Sequence, residues 1–230
     1  MNKTILPKIS KDKLVCLISR SEIRNPDFLN RFKKPSYLYM YSILLHLTQN
    51  NSIKNDDSNS LTITEIRNAY KVFKNETTSN IYLILDELNN QSLFKTYERT
   101  LDSLTFVLSS NFLDCDDLYY FDFTLLKSLK INSQKLFLYF SSFGTQLRFV
   151  QISTISTILD INSKTDKLQR KAALNALNTL KDNYILNDVV SSKTNNKQFN
   201  ISLNKKYQDR FKVKSDDTLK FLNEFENFSF

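Results

Sequence analysis

Two stretches of this chain, residues 34–108 and 132–203, follow one plan, and a plan written twice restricts the fold more than any other feature here. Each stretch opens with an aromatic-rich apolar segment, PSYLYMYSILLHLT from residue 35 and SQKLFLYFSSF from residue 133. In the first, Pro35 suits an opening helical turn, and Tyr37, Leu38, Tyr41, Leu44 and Leu45 fall on one helical stripe. A short helix with hydroxyl caps is expected next, LTITEIRNAY (61–70) in one copy and VQISTISTILDI (150–161) in the other, with Ile63 and Ile66 answering to Ile152 and Ile155.

A longer third helix is expected through NETTSNIYLILDELNNQ (75–91) and KTDKLQRKAALNALNTLKDN (164–183). At its end, Leu85, Leu88, Leu93 and Phe94 correspond to Leu177, Leu180, Ile185 and Leu186 at a constant offset of 92. The apolar period then changes from helical to alternating, giving two hairpins, SLFKTYERTLDSLTFVLS (92–109) and YILNDVVSSKTNNKQFNISL (184–203), the second with its tip at 193–197. Helix, helix, longer helix, hairpin is the order of a winged helix. The expected fold is therefore mostly α with small β hairpins (α+β), as two tandem winged-helix domains. The expected division is a basic leader at 1–34, a first domain at 35–115 for dimerisation or protein contact, a linker at 116–131, a DNA-binding second domain at 132–214, and an acidic aromatic tail at 215–230 (LKFLNEFENFSF in its last twelve residues).

Charge separates the copies. The chain carries +8 overall, distributed as +6 over 1–34, −6 over 35–126, +11 over 127–214 and −3 over 215–230. Polyanion binding is thus expected in the second copy. On a helical wheel, 166–181 places Ala173, Ala176, Leu177 and Leu180 inward and Lys167, Lys171, Asn175 and Asn178 outward. Arg170 and Lys181 flank that polar face, and Lys164 precedes it. Lysine neutralises phosphate, and an asparagine amide can pair with both N6 and N7 of adenine. The corresponding helix of the first copy holds Glu76, Asp86 and Glu87, with no Lys or Arg between Asn75 and Gln91. Lys193 and Lys197 at the second hairpin's tip can reach neighbouring phosphates, and Lys205, Lys206, Arg210, Lys212 and Lys214 follow as a basic run.

Several chemistries lack their residues. One histidine, His46, lies in an apolar helical pattern and is expected in the core; a single glycine, Gly144, leaves no P-loop and no GxGxxG loop. Tyr119 and Tyr120 have no metal or base cluster beside them and are expected to pack. Asp114, Asp116 and Asp117 are read as a helix-cap cluster rather than a metal site. No enzymatic activity, cofactor or metal is expected. Cys16 and Cys115 are expected as free thiols in a reducing cytoplasm, and the longest uncharged run, 35–53, is too polar for a membrane span.

The stretch FTLLKSLKINSQKLFLYFSSF resembles the interdomain linker and SxxxxRLYELL-like helix of the iteron-binding plasmid replication initiators, the Rep family of theta-replicating plasmids. QISTISTILDI and KLQRKAALNALNTLKDN resemble that family's next two helices, and the likeness covers about residues 60–205. Leu136 and Tyr139 fit the pattern, with no arginine at 134–137. The resemblance implies that the second unit reads repeated origin sites in double-stranded DNA, while the first mediates homodimerisation and secondary backbone contacts. Initiation would require dimers to dissociate and host replication proteins to be recruited. A winged-helix transcriptional regulator would use the same helix on an operator. A scaffold of tandem winged helices that binds only protein would be acidic throughout, and the +11 of 127–214 argues against it.

Overall fold

The computed structural model describes residues 14–51, 58–69, 72–109, 117–143, 149–191, 197–204 and 207. Cys115, Asp114, Asp116, Lys193, the basic run from Lys205 to Lys214 and the tail at 215–230 lie outside the described residues. The chain is α+β, with helices and antiparallel strands interspersed along its length.

It begins with β1 (Val15–Ser19), α1 (Arg20–Arg24) and α2 (Pro26–Asn30). The first copy of the repeat follows as α3 (Pro35–Asn51), β2 (Asn59–Thr62), α4 (Ile63–Asn68), α5 (Thr78–Asn90), β3 (Phe94–Arg99) and β4 (Ser103–Leu108). After β5 (Leu118–Asp122) and a 3-10 turn at Phe123–Leu126, the same order recurs as α6 (Ile131–Ser141), β6 (Phe149–Gln151), α7 (Ile152–Ile158), α8 (Asp166–Asp182), β7 (Leu186–Ser191) and β8 (Gln198–Leu203).

The copies agree in their turns as well as their elements. α5 and α8 both end on a left-handed residue, Ser92 and Tyr184, each at φ 57°. Beyond each, Leu93 N–H reaches back to Leu88 O (3.2 Å) and Ile185 N–H to Leu180 O (2.9 Å), which satisfies a carbonyl the helix leaves open. Glycine usually occupies such a position; Ser and Tyr hold it here, as Asp160 does after α7. Both hairpins then shift register at their first residues, between Phe94 and Thr96 and between Leu186 and Asp188.

Each hairpin carries a third strand that the sequence did not disclose. Leu61 and Thr62, expected to open a helix, pair in β2 with Leu104 and Ser103, and Val150 pairs in β6 with Phe199. The helices start two residues later, at Ile63 and Ile152. Thr62 closes β2 and caps α4: Glu65 N–H donates to its Oγ1 (3.1 Å) and its own N–H donates to Glu65 Oε2 (2.7 Å).

Residues 14–34, expected as part of a leader, are structured. The chain divides into two units: one takes the described residues of Met1–Ser19 and Arg31–Leu125, the other Arg20–Asn30 and the described residues of Leu126–Val213. The backbone therefore passes between units at 19/20, 30/31 and 125/126. In the first unit, β1 pairs with β5, which lies within the segment expected as a linker; Cys16 opposes Phe121 and Ile18 opposes Tyr119. The other edge of β1 is satisfied by side chains of α3. Gln49 accepts from Leu17 N–H (3.0 Å) and donates to Leu17 O (2.7 Å), while His46 Nδ1 donates to Val15 O at 2.7 Å. A helix thus supplies hydrogen bonds that a strand neighbour would otherwise give.

That arrangement explains why α3 is buried on every side from Tyr37 to His46, where one stripe was expected. His46 does sit in the core; burial lowers its pKa from the usual value, and the Val15 carbonyl only partly offsets this. Cys16 is also buried, its thiol donating to Ser42 O (3.3 Å), with burial first and Asp122 second raising its pKa. Tyr119 is packed in the core, and burial raises the pKa of the Tyr120 phenol.

In the second unit, α6 is enclosed in the same way from Ser133 to Leu138. α2 packs against α7 and α1 against α6, burying Ile23, Phe28 and Leu29. Asn30 donates to Thr157 O (2.8 Å) and accepts from the buried Lys135 ammonium (3.1 Å). At the C-terminal end of α6, Arg24 Nη2 donates to Ser142 O (2.6 Å), where a cation meets the negative end of the helix dipole.

Candidate nucleic-acid interface

α8 carries the candidate surface. Ala173, Ala176, Leu177 and Leu180 are its buried residues, and it packs on α6 and α7. Apolar residues at that spacing fix the helix's rotation, so Lys167, Lys171, Asn175 and Asn178 are all exposed on its far side. Lys164 is exposed in the turn before it. That turn is set by the left-handed Asp160 and by Gln169, whose amide donates to Asn162 O (3.1 Å) and Lys164 O (2.7 Å). Between Asp166 and Asp182 the helix has no carboxylate.

The flanking cations are placed differently from the frontal ones. Arg170 Nη2 donates to Ser191 Oγ (2.9 Å), and its guanidinium lies 5.6 Å from the Phe199 ring centroid. Lys181 donates to Asp188 Oδ1 at 3.2 Å. That bond, with a second from Val189 N–H, holds the Asp188 carboxyl below its usual pKa. Both cations therefore tie α8 to the hairpin, and Lys167 and Lys171 are left on the front with the asparagines. Lys197, the described part of the expected hairpin tip, is exposed.

The equivalent face of the first unit has other chemistry. At the 92-residue offset, Leu83 stands for Asn175 and Asp86 for Asn178. Leu83 is 63% exposed. Asp86 accepts from Tyr97 Oη (2.6 Å) and from both Arg99 Nε (3.0 Å) and Nη2 (3.2 Å), and the Arg99 guanidinium stacks 4.7 Å above Tyr82. This network clamps the first hairpin to α5. No cation of α5 faces outward.

Sequence reasoning missed a cleft of about 690 Å³ in the second unit, formed where the start of α7, the first turns of α8 and the hairpin converge. Gln151, Ile152, Ser153 and Gln169 line it beside Asp166, Lys167, Arg170 and Lys197. No sequence signal pointed to it, because β6 is three residues long and its exposed, buried, exposed pattern appears only in the structure.

Among the described residues, no group of three or more His, Cys, Asp or Glu side chains could hold a metal ion, and no helix is long and apolar enough to cross a membrane. The chain matches no family model, no curated protein and no solved structure.

Proposed function

We propose that both units are winged helices and that the second binds double-stranded DNA, with α8 in the major groove and the β7–β8 hairpin on the flanking backbone. The observation that carries this reading is the outward face of α8, where Lys167 and Lys171 are followed on successive turns by Asn175 and Asn178, with no carboxylate between Asp166 and Asp182. Lys164, Lys167 and Lys171 neutralise phosphate, and Asn175 and Asn178 read base edges. Arg170 and Lys181 contribute by setting the angle between helix and hairpin, and Lys193 and Lys197 extend the contact along the backbone. The first unit, with Leu83 and a clamped Asp86 at the equivalent positions, is the homodimerisation unit. From the resemblance to plasmid initiators, the DNA is a set of repeated origin sites, and the chain recruits host replication proteins without catalysing a reaction.

The test is a salt titration of binding to a fragment taken from around the protein's own gene, against a scrambled fragment of equal length. Preference for the native fragment, with a steep salt dependence, supports a sequence-reading DNA binder. Equal and weak binding to both refutes it. Footprints at direct repeats would support initiation, whereas one palindromic footprint would mark a transcriptional regulator.

A further inference from the structure

The cleft beside α8 has a composition of its own. It is lined by Lys167 and Arg170 of α8, by Lys197 of the hairpin, and by Gln151 and Ser153 at the β6–α7 junction. Long cationic side chains present apolar stems below charged heads, so such a groove offers apolar surface to a sugar and positive charge to the phosphates on either side of it. Its volume, about 690 Å³, lies in the range of clefts that hold a small ligand, enough for a short length of sugar–phosphate backbone. The Arg170 bond to Ser191 joins the helical wall to the hairpin, so the groove does not depend on an unsupported loop.

We propose that this cleft seats the sugar–phosphate backbone of one strand of the same duplex that α8 reads. Gln151, Ser153 and Lys197 then form a second line of contact that fixes the register of α8 without reading sequence. This rests on the reading of α8 as the DNA-facing helix. Asp166, which also lines the cleft, opposes the phosphate and limits affinity.

The experiment uses the full chain, with folding of every variant checked by circular dichroism, and measures binding to the native and scrambled fragments across a salt series. Ser153→Asp places a carboxylate at an exposed position lining the cleft and is expected to weaken binding to both fragments at least about tenfold. Lys197→Ala is expected to lower the salt slope by about one, again for both fragments. Asp166→Asn is expected to tighten binding to both. Asn175→Ala, in contrast, should reduce the preference for the native fragment. Should Ser153→Asp and Lys197→Ala leave affinity and slope unchanged while Lys171→Ala weakens binding, the cleft proposal is overturned and the reading of α8 stands. Should Lys171→Ala also be without effect, both are overturned.

Discussion

Replacing Leu29 with alanine should loosen the second unit, although residue 29 precedes the whole of the first repeat. Leu29 is fully buried in α2, which packs on α7, and its neighbour Phe28 is 5% exposed. Truncating a buried leucine costs about 2–5 kcal/mol and a buried phenylalanine about 3–5 kcal/mol, out of a net stability of about 5–15 kcal/mol for an ordinary domain. Hydrogen exchange followed by mass spectrometry resolves where the loss falls, because protection reports local opening. A loss of about 3 kcal/mol corresponds to roughly hundredfold faster exchange. In Leu29→Ala that acceleration is expected in peptides covering α6, α7 and α8, with α3 and α5 little changed. Equal acceleration in α3 and α5, or none in α6 to α8, would refute the assignment of residues 20–30 to the second unit.

Other outcomes follow from single contacts. Burial lowers the pKa of His46 below its ordinary 6.5, so the unfolded chain binds the extra proton first. His46 therefore destabilises the fold as pH falls through 6.5, and thermal midpoints should decline between pH 7.5 and 5.5 in the natural chain and less in His46→Gln. Tyr184→Gly removes a side chain from a left-handed position and should raise stability by about 1 kcal/mol in a denaturant titration; a loss would show that the Tyr184 ring is held by contacts. Gln49→Ala leaves the outer edge of β1 unsatisfied and should cost about 1–3 kcal/mol, with faster exchange at the Leu17 amide.

The parts of this fold that were legible were those in which one element carries its own periodicity. Residues 166–181 were expected as a helix with Ala173, Ala176, Leu177 and Leu180 inward, and α8 spans Asp166–Asp182 with those four buried. The offset of 92 held through the turns, since matching apolar positions impose matching helix ends. What was illegible depends on partners far away in sequence. β1 is five residues long and takes its meaning from β5, about a hundred residues later, and from amides on α3. Arg20 and Arg24 read as leader charge because the carbonyl they bind, at Ser142, is invisible from their own neighbourhood. β2 and β6 are too short to show alternation, and glycine-free left-handed turns gave no punctuation. On the candidate surface, the frontal residues could be read from a helical wheel, but the ties of Arg170 to Ser191 and of Lys181 to Asp188 required the hairpin's actual pairing.

The passage of the backbone between units at 19/20, 30/31 and 125/126 also sets a timetable for synthesis. Asn30 must wait 127 residues for Thr157. At about 5–20 residues per second, that is about 6–25 s during which the apolar side chains of α2 leave the ribosome without α7 to cover them. The first unit has a shorter wait, because β5 follows directly on its repeat. Nascent chains arrested before residue 150 should be cleaved readily by protease within residues 20–30, and chains released beyond residue 210 should not. A gene carrying this arrangement cannot exchange its second unit by a cut at one junction, since eleven of that unit's residues, Arg20–Asn30, are encoded within the first, between Ser19 and Arg31.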